Sequence, residues 1–272
     1  MQSCALEALN NQKETAFQLS VQLCLAMLHC VAGYQLHLCL LDTDCRKEKQ
    51  SPINIVTNKA EYKEDLKPFT FEGYNTNQSS LWRIENNGHT VKVSLSGSAK
   101  IGGGGLRNKY NAIEFHFHWG TKISEGFSPG SEHSIDGERY AMEVGEILSL
   151  LTQAGSQKNM SSLPLESLIP AKENLTHYYR YSGSLTTPNC HQAVVWTIFQ
   201  EPIILSDSQV ENFSKKLYFS KDETLHMTDN FRPVQPLSDR IVYRSDVSVV
   251  QPPAKALLVV PTLIYILSLL FQ

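Results

Sequence analysis

The chain has 272 residues, 42% hydrophobic and 19% charged, with a formal net charge of -3. This is globular composition, long enough for one large domain or two small ones. Near-neutral charge without a basic stripe gives no support for a nucleic-acid partner. Fifteen Gly and twelve Pro point to a turn-rich, mainly β body, with no internal repeat and no low-complexity tract.

Residues 1–44 form an atypical N-terminal segment. Within it, "LSVQLCLAMLHCVAG" (19–33) is apolar enough for a signal-sequence core, with Lys13 as the nearby positive charge and a cleavage region near Ala32 and Gly33. The alternative is a segment that targets poorly, which leaves export open. Four of the six cysteines lie in this segment, so Cys45 and Cys190 are the pair that belongs to the body. A lone pair in an exported domain suggests one disulfide closing a very long loop. Sequence alone does not bring the two sulfurs together.

From Gln50 to Ser245 the chain reads as one domain. "HTVKVSL" (89–95), "AIEFHFHW" (112–119) and "AVVWTIF" (193–199) alternate as strands do, between Gly and Asn turns. "GGGG" (102–105) reads as a loop, and no helical pattern follows that would make it a phosphate cradle. Helical patterns are confined to "EILSLLTQ" (146–153) and "SDSQVENFSKKLYF" (206–219), the second with Ser206 or Asp207 as N-cap. Four N-x-S/T sequons, at Asn77, Asn159, Asn174 and Asn212, agree with a secretory route and a glycoprotein.

At the other end, residues 246–272 combine a polar spacer with the apolar run "ALLVVPTLIYILSLLF". That run is shorter than the about 20 residues of a spanning helix, contains Pro261 and has no basic flank behind it. Small or polar residues at Ser245 and Asp246 complete the order of a glycosylphosphatidylinositol (GPI) attachment signal, with Ser245 as candidate site. A tail-anchored helix is the alternative.

The stretch "EFHFHWG" (114–120) carries chemistry. Successive strand residues face opposite ways, so His116 and His118 share one face, while Phe115, Phe117 and Trp119 share the other. Two imidazoles fixed side by side suit Zn²⁺, whose catalytic sites use three protein ligands and a water. Two structural histidines are the plainer reading of an isolated H-x-H.

The surrounding motifs add to this. "QSPINI" (50–55), "NNGH" (86–89), "EFHFHWG" (114–120), "GSEHSIDG" (130–137) and "GSLTTPNC" (183–190) occur in the order found in the α-class carbonic anhydrases, and the chain closely resembles the membrane-anchored type over about residues 45–245. The resemblance implies a single mainly β domain around a large twisted, mostly antiparallel sheet with short peripheral helices. It implies zinc as cofactor, reversible hydration of CO₂ to bicarbonate and a proton, and a place on the outer cell surface through a lipid anchor. His116 and His118 then resemble zinc ligands. Thr186 resembles the residue that orients the zinc-bound hydroxide, Glu132 the carboxylate that takes the threonine's proton, and His89 the proton shuttle. Leu185, Thr187 and Trp196 resemble the substrate pocket, Glu114 and Glu143 stand where residues supporting the ligands are found, and Cys45–Cys190 resembles the disulfide of the membrane-anchored members.

One part of the pattern is broken. The family's third imidazole stands two residues beyond the glutamate that Glu143 resembles, and Gly145 occupies that position. Only 40 residues separate Glu143 from Gly183, so a core strand of the sheet is missing as well. Glu143 could substitute as ligand only through a register slip. Smaller departures are Glu114, where the family usually has glutamine, and Lys92 near the shuttle. Impaired hydration is therefore expected, with an inactive anhydrase-like binding module, or a splice or gene-model product that does not fold, as the rivals.

Overall fold

A computed structural model describes residues 44–77, 81–124, 126–143, 154–187 and 189–246. The strands, in chain order, begin with β1 (Asn54–Ile55), β2 (Glu61–Tyr62), β3 (Phe69–Glu72), β4 (Trp82–Asn86) and β5 (Val91–Ser94). Next come β6 (Lys100–Gly103), β7 (Tyr110–Asn111), β8 (Glu114–His116), β9 (His118–Trp119) and β10 (Ser134–Ile135). The last are β11 (Met142–Glu143), β12 (Gln157–Met160), β13 (Tyr178–Gly183), β14 (Val194–Phe199) and β15 (Tyr243–Arg244). One α-helix, α1 (Asp207–Lys216), lies among the described residues.

The expected mainly β class is found. Among the described residues the pairing is not one large sheet but divides into five pieces: β12-β4-β5-β8, β14-β13-β15-β2, β3-β6-β7, β11-β9 and β1-β10. One division has a local cause. Between β8 and β9 the Phe117 amide donates to the Thr90 hydroxyl at 3.1 Å, and that hydroxyl also reaches the Phe117 carbonyl. A side chain thus replaces the ladder where β5 begins, and beyond it β9 is met by the 229–230 segment, the Trp119 carbonyl accepting the Asp229 amide at 2.9 Å and its amide donating to Asn230 Oδ1 at 2.9 Å. Elsewhere, β11 pairs only with β9 and β14 only with β13 among the described residues. A cavity of about 370 Å³ lies between those two edges, lined by Met142 and Glu143 on one side and Thr197, Ile198 and Phe199 on the other.

Alternation is nevertheless what builds the core. Phe117 and Trp119 are fully buried with Trp82, Val91 and Val93, and α1 closes that cluster through Phe213. The Phe213 ring lies 5.3 Å from Phe117 and 5.1 Å from Trp119. Val210, Phe213 and Leu217, all buried, recur at the spacing of one helix face. Ser206 is the cap: its hydroxyl accepts the Gln209 amide while the Gln209 side chain accepts the Ser206 amide, a reciprocal capping box. The 146–153 pattern, the N-terminal segment and the apolar tail lie outside the described residues.

The glycine run is only partly a loop, since Gly102 and Gly103 pair with Thr70 and Phe69 in β6. At Gly104, φ is +57° and an added Cβ would lie 2.3 Å from the Phe69 ring. Backbone conformation and ring contact both require glycine there.

Cys45 and Cys190 are bonded, with Cα atoms 4.9 Å apart and a sequence separation of 145. Closing so long a loop restricts the unfolded chain strongly. Replacing both cysteines by alanine should lower unfolding stability by about 2–5 kcal/mol, read as a drop in the urea midpoint. An unchanged midpoint would mean that the bridge contributes nothing.

Candidate functional site

His116 ends β8 and His118 begins β9, and their ring centres lie 5.2 Å apart at 80°. Two imidazoles bound to one tetrahedral ion bring their ring centres to about 5 Å, so the pair has the spacing of shared ligands. His118 is buried, at 3% exposure. Its Nδ1 lies 2.8 Å from the Asn230 carbonyl; a carbonyl only accepts, so Nδ1 carries the hydrogen and neutral His118 presents a bare lone pair at Nε2. That Nε2 atom is buried without a hydrogen-bond partner. For His116, burial lowers the imidazole pKa and the neighbouring His118 adds to the effect, against the pull of Glu132, Glu114 and Glu143. Both effects that lower it favour the neutral ring that metals bind.

Glu132 is 1% exposed. Its Oε1 accepts the Arg232 amide at 3.0 Å, and Oε2 lies 3.5 Å from His118 Nε2, too far for a hydrogen bond. Thr186 is buried at 3%, but no hydrogen bond joins its hydroxyl to Glu132 among the described residues. Glu114 is exposed, with Oε1 3.8 Å from His116 Nδ1 and Oε2 3.7 Å from Lys92. His89 is half-buried, its amide donating to Asn87 Oδ1 at 2.9 Å. Leu185 is 44% exposed, whereas Trp196 donates from Nε1 to the Ser184 carbonyl at 3.0 Å and packs 4.7 Å from the His133 ring. Thr187 is half-buried. Ser245 adjoins β15, its amide donating to the Tyr178 carbonyl and its hydroxyl to the Thr176 carbonyl.

Glu143 stands opposite His118 in the β11–β9 pairing. Its Oε2 accepts the amides of Glu132 at 2.8 Å and His133 at 3.1 Å, and its Oε1 lies 3.2 Å from His133 Nδ1. The carboxylate is therefore committed to the Glu132–His133 segment and not turned toward the histidine pair. Among the described residues no three His, Cys, Asp or Glu side chains converge as a metal cluster. His116 and His118 could hold a metal between them; Gly145, where the resemblance implies a third imidazole, lies outside the described residues.

The sequence pattern of the eukaryotic-type carbonic anhydrases matches residues 40–148 and 143–246. The chain belongs to that family. It is 38% identical to carbonic anhydrase 4 of Oryctolagus cuniculus over 303 positions, covering 90% of this chain and 96% of the relative. It is 39% identical to carbonic anhydrase 4 of Rattus norvegicus over 247 positions (75% and 78%), and 34% identical to human carbonic anhydrase 7 over 244 (73% and 89%). Two features of the match bear on the break at Gly145. The carbonic anhydrase pattern is met in two pieces that overlap at 143–148, and the 303 positions of the rabbit alignment exceed the 90% of this 272-residue chain that they cover.

Two residues of this carbonic anhydrase site carry more of its geometry than any sequence motif disclosed. Asn230 Nδ2 donates to the carbonyls of His89 at 3.0 Å and Phe117 at 3.2 Å, and its Oδ1 accepts the Trp119 amide at 2.9 Å. Arg232 places its amide on Glu132, and its guanidinium donates to Gln50 Oε1 at 2.9 Å and the Ser51 carbonyl at 2.8 Å. Both lie in a strandless stretch, and the sole hint was polar "DN" and "RP" pairs in a segment without periodicity.

Burial by itself would raise the Glu143 pKa. The His133 hydrogen bond and the charges of His133 and His118 outweigh it and bring it down to about 2. A folded pKa below the unfolded value of 4.5 means stability that is present above pH 4.5 and lost as pH falls toward 2. Between pH 6 and pH 3 this one group should remove on the order of 2 kcal/mol. Urea midpoints across that range should fall less steeply in Glu143→Gln than in the native chain; parallel slopes would refute the assignment.

Proposed function

We propose that this chain is a cell-surface carbonic anhydrase with a two-histidine zinc site, and that its hydration of CO₂ to bicarbonate is impaired. The observation that carries the reading is the His116–His118 pair, with its shared spacing and the unpartnered, buried Nε2 of His118. Zinc bound there would act as a Lewis acid and lower the pKa of a bound water to about 7. Asn230 holds the His118 ring in the tautomer that offers Nε2. Glu132, fixed by the Arg232 amide, would keep an acceptor beside the cleft, and Thr186, a buried residue, would orient the attacking group. His89, on a loop tied down by Asn230, would pass protons between the cleft and solvent. Leu185, Thr187 and Trp196 would line the approach of CO₂.

Impairment follows from the donor count. Glycine at 145 offers no donor atom, Glu143 is engaged elsewhere, and catalytic zinc ordinarily has three protein ligands. The two-piece family match supports a missing segment at that point, and the excess length of the rabbit alignment agrees with a missing segment without placing it. One observation favours the inactive binding module as a second reading. The chain Glu143–His133–Tyr181–Ser51 is continuous without any metal: His133 Nε2 and the Tyr181 hydroxyl are 2.7 Å apart, and that hydroxyl lies 2.9 Å from Ser51 Oγ.

Lipid anchoring near Ser245 is proposed from the tail composition. Among the described residues no helix is long and apolar enough to cross a membrane. Exposed Asn159 and Asn174 and the Cys45–Cys190 bridge support an exported chain.

Zinc measured on purified protein should bind weakly, and CO₂ hydration should fall at least about 100-fold below an intact relative. Gly145→His should raise zinc affinity, and His118→Ala should abolish it. Tight one-to-one zinc with full hydration in the unaltered chain would overturn the impairment; absence of zinc under all conditions would leave the binding module.

Phosphatidylinositol-specific phospholipase C should release the protein from expressing cells. Retention with the tail still detected by mass spectrometry would establish the spanning alternative.

A further inference from the structure

Arg180 lies on β13 with Tyr178 on the same face, opposite the face from which Tyr181 reaches His133. It is 7% exposed. Its Nε donates to Thr197 Oγ1 at 3.0 Å, and the rings of Phe69 and Tyr178 lie 5.6 and 5.5 Å from its guanidinium carbon. Nη2 is buried with no acceptor. Among the described residues no carboxylate pairs with this group. A guanidinium does not shed its proton at any physiological pH. Burying it without an anion or a full set of acceptors is therefore costly.

The space beside it is suited to supply the missing charge. A cavity of about 380 Å³ is lined by four cations, Lys49, Lys63, Arg180 and Arg240, and by one carboxylate, Asp65. Arg240 is held by three neutral acceptors, the carbonyls of Leu237, Ser182 and Pro236, which fix its position and leave its charge uncompensated. Lys63 sits 4.7 Å over the Tyr243 ring and forms no ion pair among the described residues. Lys49 approaches Asp239 at 4.0 Å. Even with Asp65 and Asp239 both counted, two positive charges remain in excess.

We propose that this cavity binds a small oxyanion, with Arg180 as the buried anchor and Lys63 and Arg240 as flanking charges. The guanidinium fork matches two oxygens of either a planar or a tetrahedral anion, so bicarbonate and phosphate share the required chemistry. Flanking rings at Phe69 and Tyr178 stabilise the cation in part, and a site satisfied by those rings alone is the outcome the test must be able to return. The inference is independent of zinc, because Arg180 and the histidine pair lie on different elements with separate contacts.

Isothermal titration of the purified full chain with inorganic phosphate, and separately with bicarbonate, at fixed ionic strength in chloride provides the test. Saturable binding of one or both is expected, and the stronger of the two identifies the geometry the site prefers. Arg180→Gln should weaken that binding at least about 10-fold. Lys63→Glu, an exposed change that leaves the core intact, should weaken it about fivefold. His118→Ala should leave it unchanged, which separates this cavity from anions held in the histidine cleft. No saturable binding, or affinity unaltered in Lys63→Glu, would overturn the proposal even if Arg180→Gln failed to fold. Binding lost only in His118→Ala would assign the anion to the cleft and overturn it equally.

Discussion

The Asn230 carbonyl is the fixed point of the histidine cleft. It accepts from His118 Nδ1, while the same residue's side chain grips the Phe117 carbonyl, the Trp119 amide and the His89 carbonyl. These contacts tie three stretches of chain together across more than 100 residues. Every polar atom of a buried amide side chain used in this way is difficult to replace, because any substitute leaves several backbone groups unsatisfied in a dry interior. Arg232, two residues on, extends the same strap: its amide fixes Glu132, and its guanidinium fastens the Gln50–Ser51 segment beside the disulfide. The strap explains how a cleft can be held in shape where the ladder between β5 and β9 is interrupted.

What could be read from sequence follows from where each residue's partners lie. His116 and His118 were legible because alternation is local, and one face of a strand is set by parity. Ser206 was legible as a cap because a capping box spans three residues. Asn230 and Arg232 were not, since their partners lie over 100 residues away and are mostly backbone atoms, which leave no trace in side-chain pattern. The large continuous sheet was expected from resemblance and is found in pieces. The side-chain bridge at Thr90 is a tertiary substitution for strand pairing that no propensity encodes, and β11, which among the described residues pairs only with β9, ends where the family match divides. Among the described residues the expected Thr186–Glu132 hydrogen bond is likewise not made, although both residues are buried.

Loss of a ligand position need not undo the shell that supports it. In this chain the Glu143 carboxylate holds two backbone amides and the His133 ring, so its charge is compensated whether or not an imidazole stands beyond it. Burial pushes the Tyr181 hydroxyl toward its neutral form, with Ser51 partly opposing, and this favours a phenol that can hydrogen-bond His133. Retention of fold and retention of metal are thus separable quantities here. Zinc-free protein is expected to keep the Ser51–Tyr181–His133–Glu143 connection, because each member finds its partner within the polypeptide.

β13 makes the contrast sharper, since it carries both kinds of buried polar group on its two faces. Tyr181 points into a chain of protein partners that closes on itself. Arg180, one residue earlier, points the other way into aromatic rings; it shares the lining of the cation-rich cavity with Tyr181 but has one protein acceptor, Thr197, and among the described residues none at Nη2. Adjacent positions on one strand share the same backbone order and the same sheet, so the difference between them is not a matter of local flexibility. A polypeptide that satisfies one buried group so fully and leaves its neighbour's charge open is asymmetric in what it still requires. On the His133 face nothing further is needed for stability. On the Arg180 face an anion would complete the structure, and that is the physical sense in which the second face is a site.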